Sequence, residues 1–202
     1  MCEAYLTVNP NAIQSAPNGT TTWLMHFCYL EDLDAIEFIL EHTKDLDLEK
    51  RDCSSQTALI ICVRNNNLVI AELLLKAGAN VNAVIQETGY TPLLMALGRH
   101  DLEMAKLLLR YGSDINKVSN NGTTPLMKAC WLCSDDEILL IRSLIDNKTD
   151  INVRNDSGIN ALEICCGRVW IGKNNEIIKL FVSMGGTVEE TFQSMLDEAL
   201  LH

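Results

Sequence analysis

An all-α array of helix–turn–helix units joined by short polar loops is the fold class that this 202-residue sequence predicts, on three observations. One short segment recurs, as Thr22–Phe27 (TWLMHF), Thr57–Cys62 (TALIIC), Thr91–Ala96 (TPLLMA), Thr124–Ala129 (TPLMKA) and Asn160–Cys165 (NALEIC), at spacings of 35, 34, 33 and 36 residues. A fixed period of this size marks a repeat architecture, in which each unit buries its apolar face only against its neighbours. A second landmark keeps phase with it: the Leu-rich Asn67–Leu75 and Asp101–Leu109 precede KAGANVN (Lys76–Asn82) and RYGSDIN (Arg110–Asn116), SLIDNKTDIN (Ser143–Asn152) and KLFVSMGGTV (Lys179–Val188) continue the series, and Leu33–Leu40 begins a degenerate copy. Glycines close three of these stretches, at Gly78, Gly112 and Gly185, where a left-handed residue suits a helix end.

The elements follow in order. Residues 1–20 read as an N-terminal cap or partly ordered arm: Ala4, Tyr5, Leu6 and Ile13 offer apolar contacts, but Pro10, Pro17 and Asn18-Gly19 break any long element. Each unit then reads short helix, turn, longer helix, glycine stop and polar connection. Thr91 and Thr124 suit helix starts because their hydroxyls can accept free N–H groups, and Pro92 and Pro125 stand where a missing N–H costs nothing. In residues 189–202, Phe192, Met195, Leu196, Ala199 and Leu200 recur at helical spacing behind Glu189 and Glu190, which predicts a capping helix with one apolar face.

The TPLxxA segments, the LLLxxGAxVN stretch and the phased Gly89, Gly122 and Gly158 together resemble the ankyrin repeat. The resemblance spans residues 21–188, about five repeats, and implies an ankyrin-repeat solenoid whose β-hairpin-like connecting loops project to one side. The histidine usual in the family's TPLH motif is absent; Met25, Ile60, Leu94, Met127 and Glu163 replace it, so its polar bonds must be met otherwise or be missing. The period stretches after Leu40, in Ala83–Thr88 and within Leu132–Asp136, and a further insertion occupies Arg168–Asn175. These last two should make the outer face of the final repeats bulge.

Composition sets limits on function. Apolar residues make up 48% of the chain, enough for one elongated domain. No apolar run approaches the ~18 residues of a membrane span, and Met1–Thr20 lacks the basic and apolar regions of a secretory signal. Eight scattered cysteines suit a reducing compartment, cytoplasmic with a nuclear location admissible, better than a disulfide scaffold. A net charge of −11 and a pI near 4.7 argue against nucleic acid as a partner and favour a soluble monomer.

Catalytic chemistry finds little support. Cys130 and Cys133 form a C-x-x-C, but zinc needs a second ligand pair at matching spacing and a thioredoxin-like site needs a βαβ context. His26, His42, His100 and His202 do not cluster in the repeat frame, and Asp135-Asp136-Glu137 reads as an acidic helix start rather than a cation loop. Phosphate loops, nucleophile elbows and HExxH motifs are absent. The expectation is therefore no enzyme, no metal and no cofactor.

A protein partner is the expectation instead. In ankyrin-like stacks the concave groove is lined by hairpin tips and by the ends of the first helices. In this sequence the resemblance places there Tyr29, Leu30, Arg64, Asn65, Glu87, Tyr90, Arg99, Asn121, Trp131, Leu132 and Arg168. Arginine, tyrosine and tryptophan often dominate binding energy, and a basic, aromatic groove suits a partner segment bearing acidic and apolar side chains. The same arginines equally suit helix C-termini as plain exposed cations. Two alternatives stand beside this adaptor, scaffold or inhibitor: a redox or zinc site at Cys130 and Cys133, and a structural spacer in a larger assembly.

Overall fold

The computed structural model describes residues 21–43, 45–131, 135–146, 149–167 and 175–201. Within them the chain is helical, with no strand. The helices pair as α1 (Trp23–Leu30) and α2 (Leu33–His42), α3 (Ala58–Arg64) and α4 (Leu68–Lys76), α5 (Pro92–Gly98) and α6 (Leu102–Arg110), α7 (Pro125–Cys130) and α8 (Asp135–Asp146), and α9 (Ala161–Cys166) and α10 (Asn175–Ser183). A last helix, α11 (Glu190–Leu201), follows.

The recurring threonine starts the first helix of each pair. The hydroxyls of Thr22, Thr57, Thr91 and Thr124 accept the N–H of Met25, Ile60, Leu94 and Met127 at 3.1–3.4 Å, and the carboxamide oxygen of Asn160 accepts that of Glu163. Pro92 and Pro125 open α5 and α7 as the sequence predicts. Asp32 and Asn67 cap α2 and α4 in the same way.

Gly78, Gly112 and Gly185 close the second helices at φ of 84–96°. Asp45 occupies the same register in the first copy at φ 57°, which is why the glycine stop looks degenerate there. In the inter-helix turn Glu31, Asn66 and His100 all adopt left-handed backbone, so that turn is built without glycine.

The connecting loops fold as tight hydrogen-bonded turns. In each, an N–H donates to a carbonyl across the tip: Asp52 to Gln56, Ile85 to Tyr90, Ser119 to Thr123 and Asn155 to Ile159. Before each tip an aspartate or asparagine (Asp47, Asn80, Asp114, Asp150) accepts the N–H two residues on, an Asx-turn repeated in phase. The recurring asparagine of the VN and IN pairs also has a role. The Asn82 Nδ2 donates to the Gly112 carbonyl and the Asn152 Nδ2 to that of Gly185, tying a loop to the helix end of the next copy.

The described residues cluster into two compact units. The first runs to Ala96 and takes in Glu103–Ser113; the second comprises Leu97–Leu102 and the chain from Asp114 onward. The first buries Leu24, Phe27, Ile36 and Ile39 with Leu59, Ile61, Leu74, Leu93 and Leu107. In the second, α7 packs on α8 and α9, and α11 packs on α9 and α10 around Phe181, Leu162 and Ile178.

The apolar face of α11 is narrower than its sequence spacing suggests. Leu196 is buried, whereas Met195 and Leu200 are each 38% exposed. Of the stretches expected within Leu132–Asp136 and Arg168–Asn175, residues 132–134 and 168–174 lie outside the described residues, as do residues 1–20.

Candidate functional site

In the first unit the ends of α1 and α3 meet a loop tip. The Tyr29 hydroxyl donates to Asp52 Oδ2 at 2.6 Å, while Asp52 Oδ1 accepts the N–H groups of Ser54 and Gln56 and so shapes the tip. The Arg64 guanidinium lies 5.4 Å from the Tyr29 ring centroid, within cation–π range. Burial, then the acceptor and negative charge of Asp52, push the Tyr29 phenol up; Arg64 pulls it the other way. Four sequence-predicted residues thus have distinct settings. Tyr29 and Arg64 are brought together, and Leu30 beside them is 61% exposed. Asn65 closes α3 through its backbone.

On the neighbouring tips Glu87 accepts the Ser55 hydroxyl at 2.9 Å, and Tyr90 is half-buried. Glu87 therefore ties one tip to the next.

In the second unit a cavity of about 310 Å³ is lined by Leu97, Gly98, Asn121, Thr123, Met127, Lys128, Trp131, Asn155 and Ile164. Trp131 is the C-cap of α7, and the residue is 56% exposed. Asn121 stands on the rim, its side-chain oxygen accepting the Ser119 and Thr123 hydroxyls. Arg99 is exposed beyond α5. Leu132 and Arg168 lie outside the described residues.

The position of the family's histidine is met in two ways. Met25, Ile60, Leu94 and Met127 are buried apolar side chains. Glu163, 1% exposed, is paired instead. Arg154 reaches it with two nitrogens, each at 2.9 Å, and also donates to the Gly158 carbonyl. The same carboxylate accepts the N–H groups of Asn160 and Glu189. Asn160 in turn donates to the Thr187 carbonyl, so the chain entering α11 is stapled to the last repeat. Burial alone would raise the Glu163 carboxyl; Arg154 and the two backbone donors outweigh it and hold the group below the usual glutamate range. The sequence did signal this pair, through an acid at an otherwise apolar position.

The cysteines behave as packing residues. Cys28, Cys62, Cys130, Cys165 and Cys166 are buried free thiols, and Cys53 is exposed on a loop tip. A hydrogen bond with Cys28, then burial, push the Cys62 thiol up, and burial pushes Cys166 up to about 11. A thiolate is the reactive form, so these groups are inert at neutral pH. Maleimide or iodoacetamide applied to the native protein, followed by peptide mass mapping, is expected to label Cys53 quickly and the buried five only after unfolding. Rapid native labelling of Cys62 would contradict the packing. Cys133, the other half of the C-x-x-C, lies outside the described residues.

Of the lining residues, only Asn121 and Trp131 stand among the residues expected at the groove; Lys128 and Asn155 are two polar ones that do not. A signal for Lys128 was present: it is the cation in a register that holds His26, Ile61, Met95 and Ile164 in the other copies. Asn155 reads as a turn residue, and its side-chain oxygen does accept the Ser157 and Ile159 N–H groups. That it also lines a cavity depends on packing.

A family model described as ankyrin repeats (3 copies) matches residues 1–85 and 83–155. The ankyrin repeat protein FPV031 of fowlpox virus (strain NVSL) is 30% identical over 155 residues, which cover 75% of this chain and 44% of that protein. The chain thus spans less than half the length of this curated relative. Among solved structures, the ankyrin repeat domain of Bcl-3, described as a unique member of the IkappaB protein family, superposes with a TM-score of 0.67 at 24% identity, over 81% of this chain and 74% of that one. This likeness speaks for the fold alone.

Proposed function

The chain belongs to the ankyrin-repeat family, and on that premise we propose that it is a non-catalytic module that recognises a partner protein through its loop tips and the ends of its first helices. Ankyrin repeats generally mediate protein–protein interaction. The observation that carries the reading is Trp131, a large aromatic side chain held 56% exposed over a cavity between α7 and the tips that bear Asn121 and Asn155. Exposed aromatic residues at the centre of a concave, polar-rimmed site are typical binding anchors. Tyr29 and Arg64 offer a second aromatic and cationic pair on the first unit.

The described residues contain no helix long and apolar enough to cross a membrane. Buried free thiols favour a reducing compartment such as the cytoplasm, and we read residues 21–188 as the repeat domain, 189–202 as its cap and the chain as a monomer.

The test is affinity capture from lysate with the wild type, Trp131→Ala and an Arg64/Arg99/Trp131 alanine variant, each shown by circular dichroism to stay folded. Trp131→Ala is expected to weaken a genuine partner by about 2 kcal/mol, a loss of roughly 30-fold, without lowering the melting temperature. Capture unchanged by all three substitutions would place recognition elsewhere.

A further inference from the structure

Resting on the recognition reading above, we propose that the cavity of the second unit takes one apolar or aromatic side chain of a partner peptide segment together with a single neighbouring carboxylate, the first lodged against Trp131 and the second against Lys128.

The volume is enough for a side chain and a neighbouring group. About 310 Å³ stands at the lower end of the roughly 300–1,000 Å³ typical of ligand pockets. Its floor is apolar: Met127 is buried and Ile164 half-buried. Trp131, 56% exposed, supplies one wall. A flexible apolar chain or a ring entering here would cover surface that water now wets.

The charge argues for the carboxylate. Among the described residues that line the cavity Lys128 is the charged one, on a chain whose net charge is −11. Its stem and ammonium pass over Gly98, about 4 Å from where a side chain there would begin, so the cation stands along the cavity wall. The other copies place a histidine or an apolar residue in this register (His26, Ile61, Met95, Ile164), which makes the cation particular to the fourth repeat. Asparagine and threonine on the opposite rim add no charge. A strongly acidic segment would be repelled by the whole body, while a basic one would meet Lys128 at close range. One acid beside one apolar side chain satisfies both constraints.

A phage-displayed heptapeptide library panned on the intact chain tests this, followed by calorimetry of the recovered peptides against wild type, Lys128→Met, Trp131→Ala and Arg64→Ala. Thermal melts confirm that each variant is folded. The expected consensus is an aromatic or long aliphatic residue one or two positions from a single Asp or Glu. Replacing that acid with its amide is expected to cost about tenfold with wild type and almost nothing with Lys128→Met, because the charge pair is already gone. Trp131→Ala is expected to cost all peptides 30-fold or more. Equal binding of acid and amide peptides, or a basic consensus, overturns the proposed chemistry. If such peptides still depend on Trp131 or Arg64, the recognition reading survives that failure. Peptides indifferent to all three substitutions, or no enrichment at all, overturn both.

Discussion

Replacing Arg154 with methionine is expected to destabilise the second unit by about 3–5 kcal/mol, because it strands a buried carboxylate. Glu163 is almost wholly buried, and two of its bonds come from this guanidinium. The reciprocal change, Glu163→Met, is expected to cost only about 2 kcal/mol. Arg154 is partly exposed and can turn to water, leaving the Asn160 and Glu189 N–H groups as the main losers. Methionine already fills this register at Met25 and Met127. The double variant should therefore be no worse than Glu163→Met, a coupling that a double-mutant cycle by urea unfolding reads directly. An Arg154→Met cost below about 1 kcal/mol would show that the pair is not a buried staple.

The same pair gives a pH signature. The folded carboxyl titrates below its ordinary value, so its contribution is complete above the ordinary glutamate range and is lost as the pH falls through it towards the folded pKa. Melting temperatures followed from neutral to acid pH should fall more steeply for wild type than for Glu163→Gln. Parallel profiles would remove Glu163 from the acid sensitivity of the fold.

Gly122→Ala is expected to cost about 2–3 kcal/mol and to disturb the cavity as well. Gly122 sits at φ +72°, a conformation unfavourable to any Cβ, and an added Cβ would stand 3.0 Å from the Asn155 Cα and 3.3 Å from the Asp156 nitrogen. The closest approach is to backbone, which cannot swing aside as the Asp156 carboxylate, also 3.3 Å away, could. The neighbouring Asn121 carbonyl accepts the Asp156 N–H, so relief would come by parting the two tips. Gly158→Ala is the control: its φ is +74°, but nothing lies within 4 Å, so only the conformational cost of about 1 kcal/mol remains. Since Asn121, Thr123 and Asn155 line the cavity, Gly122→Ala should also weaken any peptide that binds there. Equal stability losses for the two alanine variants would mean that the tips are not in close contact.

Most of the fold was legible in the chain because its signals are local. A capping threonine, a proline in the first turn and a glycine stop act within a few residues, and a 33–36-residue period repeats them often enough to be seen. The left-handed Asp45, Ser55, Asn66 and His100 were less visible, since residues other than glycine adopt that conformation only in a small minority of cases.

The candidate site was legible in part. Tyr29, Arg64 and Trp131 stand on exposed helix ends, where repeat phase alone locates them. That Trp131 is exposed is a property of the folded chain alone, and the placing of Lys128 along the cavity wall depended on Gly98, thirty positions away in sequence. Repeat period, cap positions and the apolar registers are therefore properties of the chain, because each is a short-range preference written many times over. The Arg154–Glu163 staple, the Tyr29–Asp52–Arg64 cluster and the Trp131 cavity arise only on folding. Charge pairing, burial and cavity shape require groups from separate segments to meet, and no single repeat contains both partners of such a meeting in its motif.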